Sequence, residues 1–398
     1  MDTLLYQYNP WWEADFSTTE IRRRDAKVYS LMGKLDEKRA VFLSGLRRVG
    51  KTTLMRLTVD ALLHKNVPAS HIFYVSLDDY LLKDVNILEI LDEYRRLHKL
   101  RIDQRVYVFL DEVTAKEEYQ VQIKNLLDRQ RVVILACSSS ASLLKDHRAF
   151  LTGRAITYEI QPLSFHEYLE FREITIAKRD EVLLDSYFRD YIRDGGLPEN
   201  VLKHRRDYLM GLVDDIIQKD IIAFYSLRNY RVVRDYFSLL MERSGKQVSI
   251  NKISRILKIS PDTAKRYLQY FEDAFLIHTV PRYGNTNEML LSPKKLYTCD
   301  LGIMHLFIGD RDFGSYFENC VYLMMRNFQE IYYLKQNGIE LDFFTADKTL
   351  IEAKYNTTIK GAQKEFYESF NARHKYCITS VKQLDLIRGL WKNSTQVL

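Results

Sequence analysis

The sequence predicts an α/β protein: a parallel sheet with covering helices, then a helical stretch, a helix-turn-helix and a second, smaller α/β unit. Three observations carry this. Short apolar, β-branched runs at 39–44, 71–77, 106–110, 131–137 and 155–160 alternate with helical stretches, the pattern of strands buried on both faces of a parallel sheet. From about 161 to 245, as in 181–196 and 208–227, apolar residues recur at three and four, the period of helices packed by one face. Between 315 and 380 short strands return, flanked by two helices. The expected divisions are 1–160, with an N-terminal segment 1–38, then 161–245, 246–300 and 301–398. A chain of 398 residues is long enough for such a plan, since domains average roughly 150 residues.

Composition narrows the function classes. Apolar residues make up 46% and charged ones 28%, with 15 Gly and 7 Pro, which excludes disordered and collagen-like chains. The net charge of +6 permits contact with phosphate without demanding it. Cysteines 137, 299, 320 and 377 form no CxxC pair, and the nine histidines form no HExxH, so neither a disulfide framework, a zinc knuckle nor metalloprotease chemistry is suggested. No apolar run approaches a spanning helix, and the N-terminus lacks the basic start and apolar stretch of a signal peptide. A soluble cytoplasmic protein is expected.

Taken in order, the first strand runs directly into GLRRVGKT at 45–52. Gly45, Gly50, Lys51 and Thr52 satisfy the G-x-x-x-x-G-K-[ST] phosphate loop in its strand-to-helix setting. Backbone N–H groups from Gly45 through Arg48, Val49, Gly50 and Thr53 would converge on phosphate oxygens at a helix N-terminus. Lys51 adds a point charge and the Thr52 hydroxyl ligates Mg²⁺, so ATP and Mg²⁺ are the expected cofactors. The strand 106–110 continues into Asp111 and Glu112, at the strand end where a doubly wound sheet presents ligands. Asp111 would hold the Mg²⁺ shell, and Glu112 would polarise a water aimed at the γ-phosphate. After 131–137 come Ser138, Ser139 and Ser140, read either as hydroxyls sensing the attacking water, Ser138 first, or as turn chemistry. Arg154 follows, as an arginine finger towards a neighbouring subunit or as the partner of a local carboxylate. Trp11 and Trp12 read as packing anchors rather than a base-stacking platform.

In 249–277 a helix is followed by a short turn, then Ser260 as N-cap and Pro261 at the first helical position. The second helix buries Ala264, Tyr267, Leu268 and Phe271 and presents Asp262, Lys265, Arg266 and Gln269. Lys265 and Arg266 would reach DNA, or the unit would serve as a lid. The order between 315 and 380 is helix, three strands, helix, strand.

With these stations in place, from NPWWE through GLRRVGKTTL, FLDEV, ACSSSASLL, LTGRAITYEIQPLSFHEYL, GGLPE and KLYTCDLGI to ELDF and IEAK, the chain resembles a prokaryotic family over about residues 8–380. These are the AAA-type ATPases that carry a C-terminal nuclease-like domain, the DUF4143 family. The resemblance implies a P-loop AAA-type sheet domain, a winged helix and a PD-(D/E)xK-like core. In that core Asp342 and Glu352 would hold Mg²⁺ from adjacent strands, with Glu318 completing the shell. Lys354, two residues beyond Glu352 and so on the same strand face, would orient a water, and Gln363 would support the site. Cys137 to Ser140 replace the Thr-Gly-Ser-Ser type element usual in the family. Gly195 to Pro198 look like the GxP element of related ATPases, whose proline packs near adenine. The implied function is an ATP-hydrolysing switch or motor, homo-oligomeric, in a ring if Arg154 acts across subunits. The alternatives are an ATP-regulated, Mg²⁺-dependent DNA nuclease, or an ATP-gated module that binds DNA or protein without cleavage.

Overall fold

The computed structural model describes residues 1–14, 16, 18–138, 151 and 153–391. They divide into two compact units, Met1–Gln161 and Pro162–Leu398. In the first, five strands form one parallel sheet: β1 (Ala40–Ser44), β2 (Ile72–Ser76), β3 (Val106–Asp111), β4 (Val132–Cys137) and β5 (Ala155–Glu159). Their spatial order is β2-β3-β4-β1-β5. Every residue of β1 and β4 is buried, as expected where helices cover both sheet faces. Parallel pairing aligns the strand ends: Leu43 stands opposite Cys137, and Ser76 opposite Asp111. The consequence for function lies in the order, because β4 separates the phosphate-loop strand from the strand that ends in Asp111.

The N-terminal segment closes the exposed edge of β2. Asn9 is fully buried; its side-chain amide donates to Tyr74 O at 2.8 Å, and its Oδ1 accepts from Tyr74 N at 2.6 Å. This pair imitates one rung of a β-ladder and satisfies an edge that would otherwise template further pairing. The indoles of Trp11 and Trp12 both donate to Ile72 O, at 3.1 and 2.9 Å. Trp12 also stacks against Phe73 and Tyr94. Both tryptophans are therefore packing anchors, as expected.

The second unit contains a helical pair and two sheets. The helices Ile250–Leu257 and Pro261–Asp273 are joined through Lys258, whose φ is 54°, with Ser260 accepting from Thr263 N at 3.1 Å as N-cap. Ala264 and Phe271 are buried while Lys265 and Arg266 are exposed, the faces the periodicity predicts. Strands β6 (Ile277–Val280) and β7 (Lys295–Thr298) pair antiparallel. The helix Phe313–Met325 leads to β8 (Ile331–Gln336), β9 (Ile339–Thr345) and β10 (Thr349–Ala353), then to the helix Gly361–Ser369 and β11 (His374–Ile378). These strands form a sheet of order β11-β10-β9-β8, antiparallel except for β10 with β11.

The expected cuts at 245 and 300 do not separate cores. One apolar cluster runs from Leu163, Phe165 and Phe188 through Tyr297 and Tyr316 to Phe343, Ile351 and Trp391. The segments depend on one another because Phe188 packs against Phe317 and Tyr355. No helix among the described residues is long and apolar enough to cross a membrane.

Candidate functional site

The loop between β1 and the helix Lys51–His64 is built around conformations that side chains resist. Gly45 has φ 129°, and a Cβ there would lie 2.2 Å from Ile160 O. Gly50, at φ 96°, is the residue that turns into the helix. Arg48 takes φ 63°, a left-handed value uncommon outside glycine, and is exposed, while Val49 beside it is buried. Lys51 is 6% exposed, and its Nζ donates to Gly45 O at 2.9 Å and Leu46 O at 3.0 Å. Burial pulls this ammonium below the usual lysine range, because carbonyl dipoles replace water poorly around a charge. The loop thus holds a desolvated cation at a helix N-terminus, a setting that attracts anions.

Asp111, 3% exposed, closes the other side. Its Oδ2 accepts from Thr52 Oγ1 at 2.7 Å and from the Tyr74 hydroxyl at 2.8 Å. Its Oδ1 accepts from Glu112 N at 3.0 Å and from the Cys137 thiol. Burial, then the charge of Asp111, holds that thiol well above the ordinary cysteine range, so it stays a neutral donor. Glu112 adopts φ 50°, ψ 44°, a conformation costly for a side chain and concentrated at functional sites. Thr52 and Asp111 are in contact, and Glu112 follows Asp111 directly in the chain. Tyr74 and Cys137 were not singled out as contacts of Asp111, and only the strand order reveals them.

Ser138 is buried and hydrogen-bonded to Thr114, which follows Glu112 by two residues. Ser139 and Ser140 lie outside the described residues. Arg154 is ion-paired with Asp128, and the two side chains are 39% and 40% exposed; of its two expected roles, the local carboxylate pair is the one present. Gly195 to Pro198 form a joint inside the second unit. Gly196 N donates to Asp300 Oδ2 at 2.6 Å, a Cβ on Gly195 would meet Asp300 at 2.2 Å, and Pro198 opens the helix Pro198–Lys203.

The second unit gathers a cluster of carboxylates around an ammonium. Lys295, 1% exposed on β7, places Nζ at 2.7 Å from Glu318 Oε1, 2.8 Å from Glu340 Oε1 and 3.0 Å from Asp342 Oδ1. Burial disfavours its charge, yet Asp342, Glu318 and Glu340 outweigh this and hold it well above the usual lysine range. Lys354 Nζ lies 2.7 Å from Glu352 Oε1, and Gln363 donates to the same oxygen at 2.7 Å. Burial and then Asp342 push Glu318 up to about 7 and Glu352 up to about 8. Asp342 itself is held low, because Lys295 and Lys354 overcome its desolvation. The structure brings the expected Glu318, Asp342, Glu352, Lys354 and Gln363 together, but the centre is filled by Lys295, with Glu340 and Tyr297 added. The available signal was Lys295 and Tyr297 two apart in a strand and hence on one face. Among the described residues no group of three or more His, Cys, Asp or Glu side chains is placed to hold a metal ion. Lys295 thus stands against Glu318 and Asp342, two of the three carboxylates expected with Glu352 as a metal shell.

Comparison with known proteins agrees with the division into two units. Residues 37–169 match the model of an AAA domain, and residues 185–313 match a domain of unknown function, DUF8612. The second model differs from the DUF4143 family named from the sequence and ends before Glu318, Asp342, Glu352 and Lys354. An uncharacterized protein of Methanocaldococcus jannaschii is 29% identical over 374 residues, 88% of this chain and 81% of that one. One from Haemophilus influenzae is 25% identical over 323 residues, 77% and 80% of the two chains. Among solved structures, AMPPCP-bound DnaA from Aquifex aeolicus is 18% identical, covering 68% of this chain and 92% of that one, with a TM-score of 0.29. The parallel sheet and the phosphate loop both lie largely within residues 37–169, the part of the chain that is similar to an AAA domain.

Proposed function

We propose that this protein is an ATP-driven switch whose chemistry is Mg²⁺-dependent hydrolysis in the first unit. The observation that carries the reading is the contact of Thr52 with Asp111 at 2.7 Å, beside a left-handed Glu112. A hydroxyl from the first turn of the helix Lys51–His64 and a buried carboxylate at the end of β3 meet beside the phosphate loop. These oxygens suit Mg²⁺, which would neutralise charge on the phosphate oxygens. Thr52 and Asp111 would hold it there.

In this reading the N–H groups from Gly45 to Thr53 cradle the phosphates, and Lys51 leaves the carbonyls of Gly45 and Leu46 for phosphate oxygens. Glu112, turned away from its own strand, orients the attacking water. Ser138, tied to Thr114, fixes the segment following Glu112. Arg154 would exchange Asp128 for a neighbouring subunit's nucleotide, which makes the active form a homo-oligomer.

The test is a pair of variants. Lys51→Ala is expected to lose ATP binding, and Glu112→Gln to bind ATP and not turn it over. Normal turnover in Glu112→Gln would refute the role of Glu112.

A further inference from the structure

The order of elements over 313–378, with Asp342 and Glu352 on adjacent strands and Lys354 just past the second, implies a divalent cation in the second unit. The donor set does not fit one. Lys295 Nζ has three protons and three acceptors, Glu318 at 2.7 Å, Glu340 at 2.8 Å and Asp342 at 3.0 Å, so the ammonium is fully satisfied. The second oxygen of Asp342 and both oxygens of Glu352 are engaged as well. Asp342 Oδ2 accepts from Ala353 N at 3.1 Å, and Glu352 Oε2 accepts from Asp342 N at 2.9 Å. Glu352 Oε1 faces both Lys354 and Gln363 at 2.7 Å.

A hard cation needs oxygens at about 2.0–2.6 Å and usually keeps water in its shell. Here the shared oxygens already surround a unit charge, and Lys295 is 1% and Glu352 0% exposed. An ion on Glu318 and Asp342 would stand against the Lys295 ammonium with no solvent between them. Lys295 is paired through its backbone with Val280 of β6, and its Nζ lies 6.0 Å from the centroids of both the Tyr297 and Phe343 rings.

We infer that Lys295 Nζ is the resident cation of this core, standing where a divalent ion would otherwise be held, so that the cluster is a metal-free ion lock. It ties β7 to the helix Phe313–Met325 through Glu318 and to β9 through Glu340 and Asp342. The second unit then holds no divalent ion with which to cut a phosphodiester bond, and the lock ties its own elements together. This inference does not depend on the nucleotide reading.

The experiment uses the full chain without nucleotide. Mn²⁺ uptake is followed by its paramagnetic resonance signal in wild type, Asp111→Asn and Lys295→Met. Wild type is expected to take up no submillimolar Mn²⁺ that survives Asp111→Asn, and its second-unit unfolding temperature is expected to be the same in EDTA and in Mn²⁺. Lys295→Met leaves three carboxylates facing one another without their counter-ion. It is expected to gain one Mn²⁺ and to recover several degrees of thermal stability on adding it. One equivalent of tightly bound Mn²⁺ in wild type that persists in Asp111→Asn would overturn the inference, as would a folded Lys295→Met indifferent to Mn²⁺. If Lys295→Met does not fold, the comparison of wild type with Asp111→Asn decides alone.

Discussion

Tyr74→Phe is the most informative single change in the first unit. The hydroxyl donates to Asp111 Oδ2 at 2.8 Å, and Asp111 is 3% exposed. Removing it keeps the ring and takes one of the four donors from a buried carboxylate. A hydrogen bond to a charged group contributes about 1.5–3 kcal/mol. For a unit of this size each kcal/mol moves the midpoint by about 2–4 °C, so a fall of roughly 3–12 °C is expected. The assay is thermal unfolding of the full chain, with the first unit's transition identified by its upward shift in Mg-ATP. In an Asp111→Asn background the acceptor is neutral, and the same change should cost only about 0.5–1.5 kcal/mol. The non-additivity reports the charge on Asp111. A single-variant loss under about 0.5 kcal/mol, or full additivity in the double variant, would refute the claim that neutral donors keep this carboxylate buried.

Asn9→Ala removes hydrogen bonds to Tyr74 N, Tyr74 O and Leu5 O; at about 0.5–1.5 kcal/mol each it should lower the first unit's stability more than Trp12→Phe, as read by urea unfolding. Arg154 and Asp128 are both well exposed, so loss of either should change stability by less than about 1 kcal/mol. If Arg154 acts in trans, Arg154→Ala loses ATP turnover while Asp128→Ala keeps it, and light scattering shows self-association of wild type in ATP; a strict monomer at every concentration would sink that role. In the second unit Glu318 and Glu352 are raised to about 7 and about 8 from 4.5. Raised carboxylates contribute stability that is full below the unfolded value and lost as pH rises through the folded one. Asp342, held low, acts oppositely but only towards acid. The second unit should therefore lose stability between about pH 5 and 8, and Glu352→Gln should flatten that slope.

The parts of the candidate site legible in the sequence are those set by short spacing. Gly45 to Thr52 and Asp111–Glu112 lie contiguous at strand ends, and phosphate chemistry dictates their residue types. What was not legible depends on which strands become neighbours. Cys137 touches Asp111 because β4 inserts between β1 and β3, and Asn9 reaches Tyr74 across 65 residues. Lys295 meets Asp342 across 47 residues, so the motif Asp342, Glu352, Lys354 read alone gave no sign of a fourth partner from another sheet. One apolar cluster spans the expected cuts at 245 and 300 for a related reason. A change of periodicity marks a change of element, whereas a core boundary depends on whether each apolar face finds its cover locally, and here Phe188 packs against Phe317 and Tyr355.

Each unit buries a lysine, and the contrast between them indicates where the chemistry sits. Lys51 rests on two carbonyls and its affinity for its proton is lowered; the cation is under-compensated and gains by meeting phosphate. Lys295 rests on three carboxylates and its affinity is raised; the charge is already answered. The carboxylates differ in the same sense. The hydrogen-bond donors to Asp111 are hydroxyls, a thiol and an N–H, neutral groups that can yield to a divalent ion carrying water and phosphate. Asp342 is bound to a lysine already. A site built for turnover keeps its charges incompletely matched until substrate arrives, because only then does substrate bring stabilisation that the empty site lacks. On that criterion the chemistry proposed above belongs to the first unit, where Lys51 is under-compensated, and not to the second, where Lys295 is already matched.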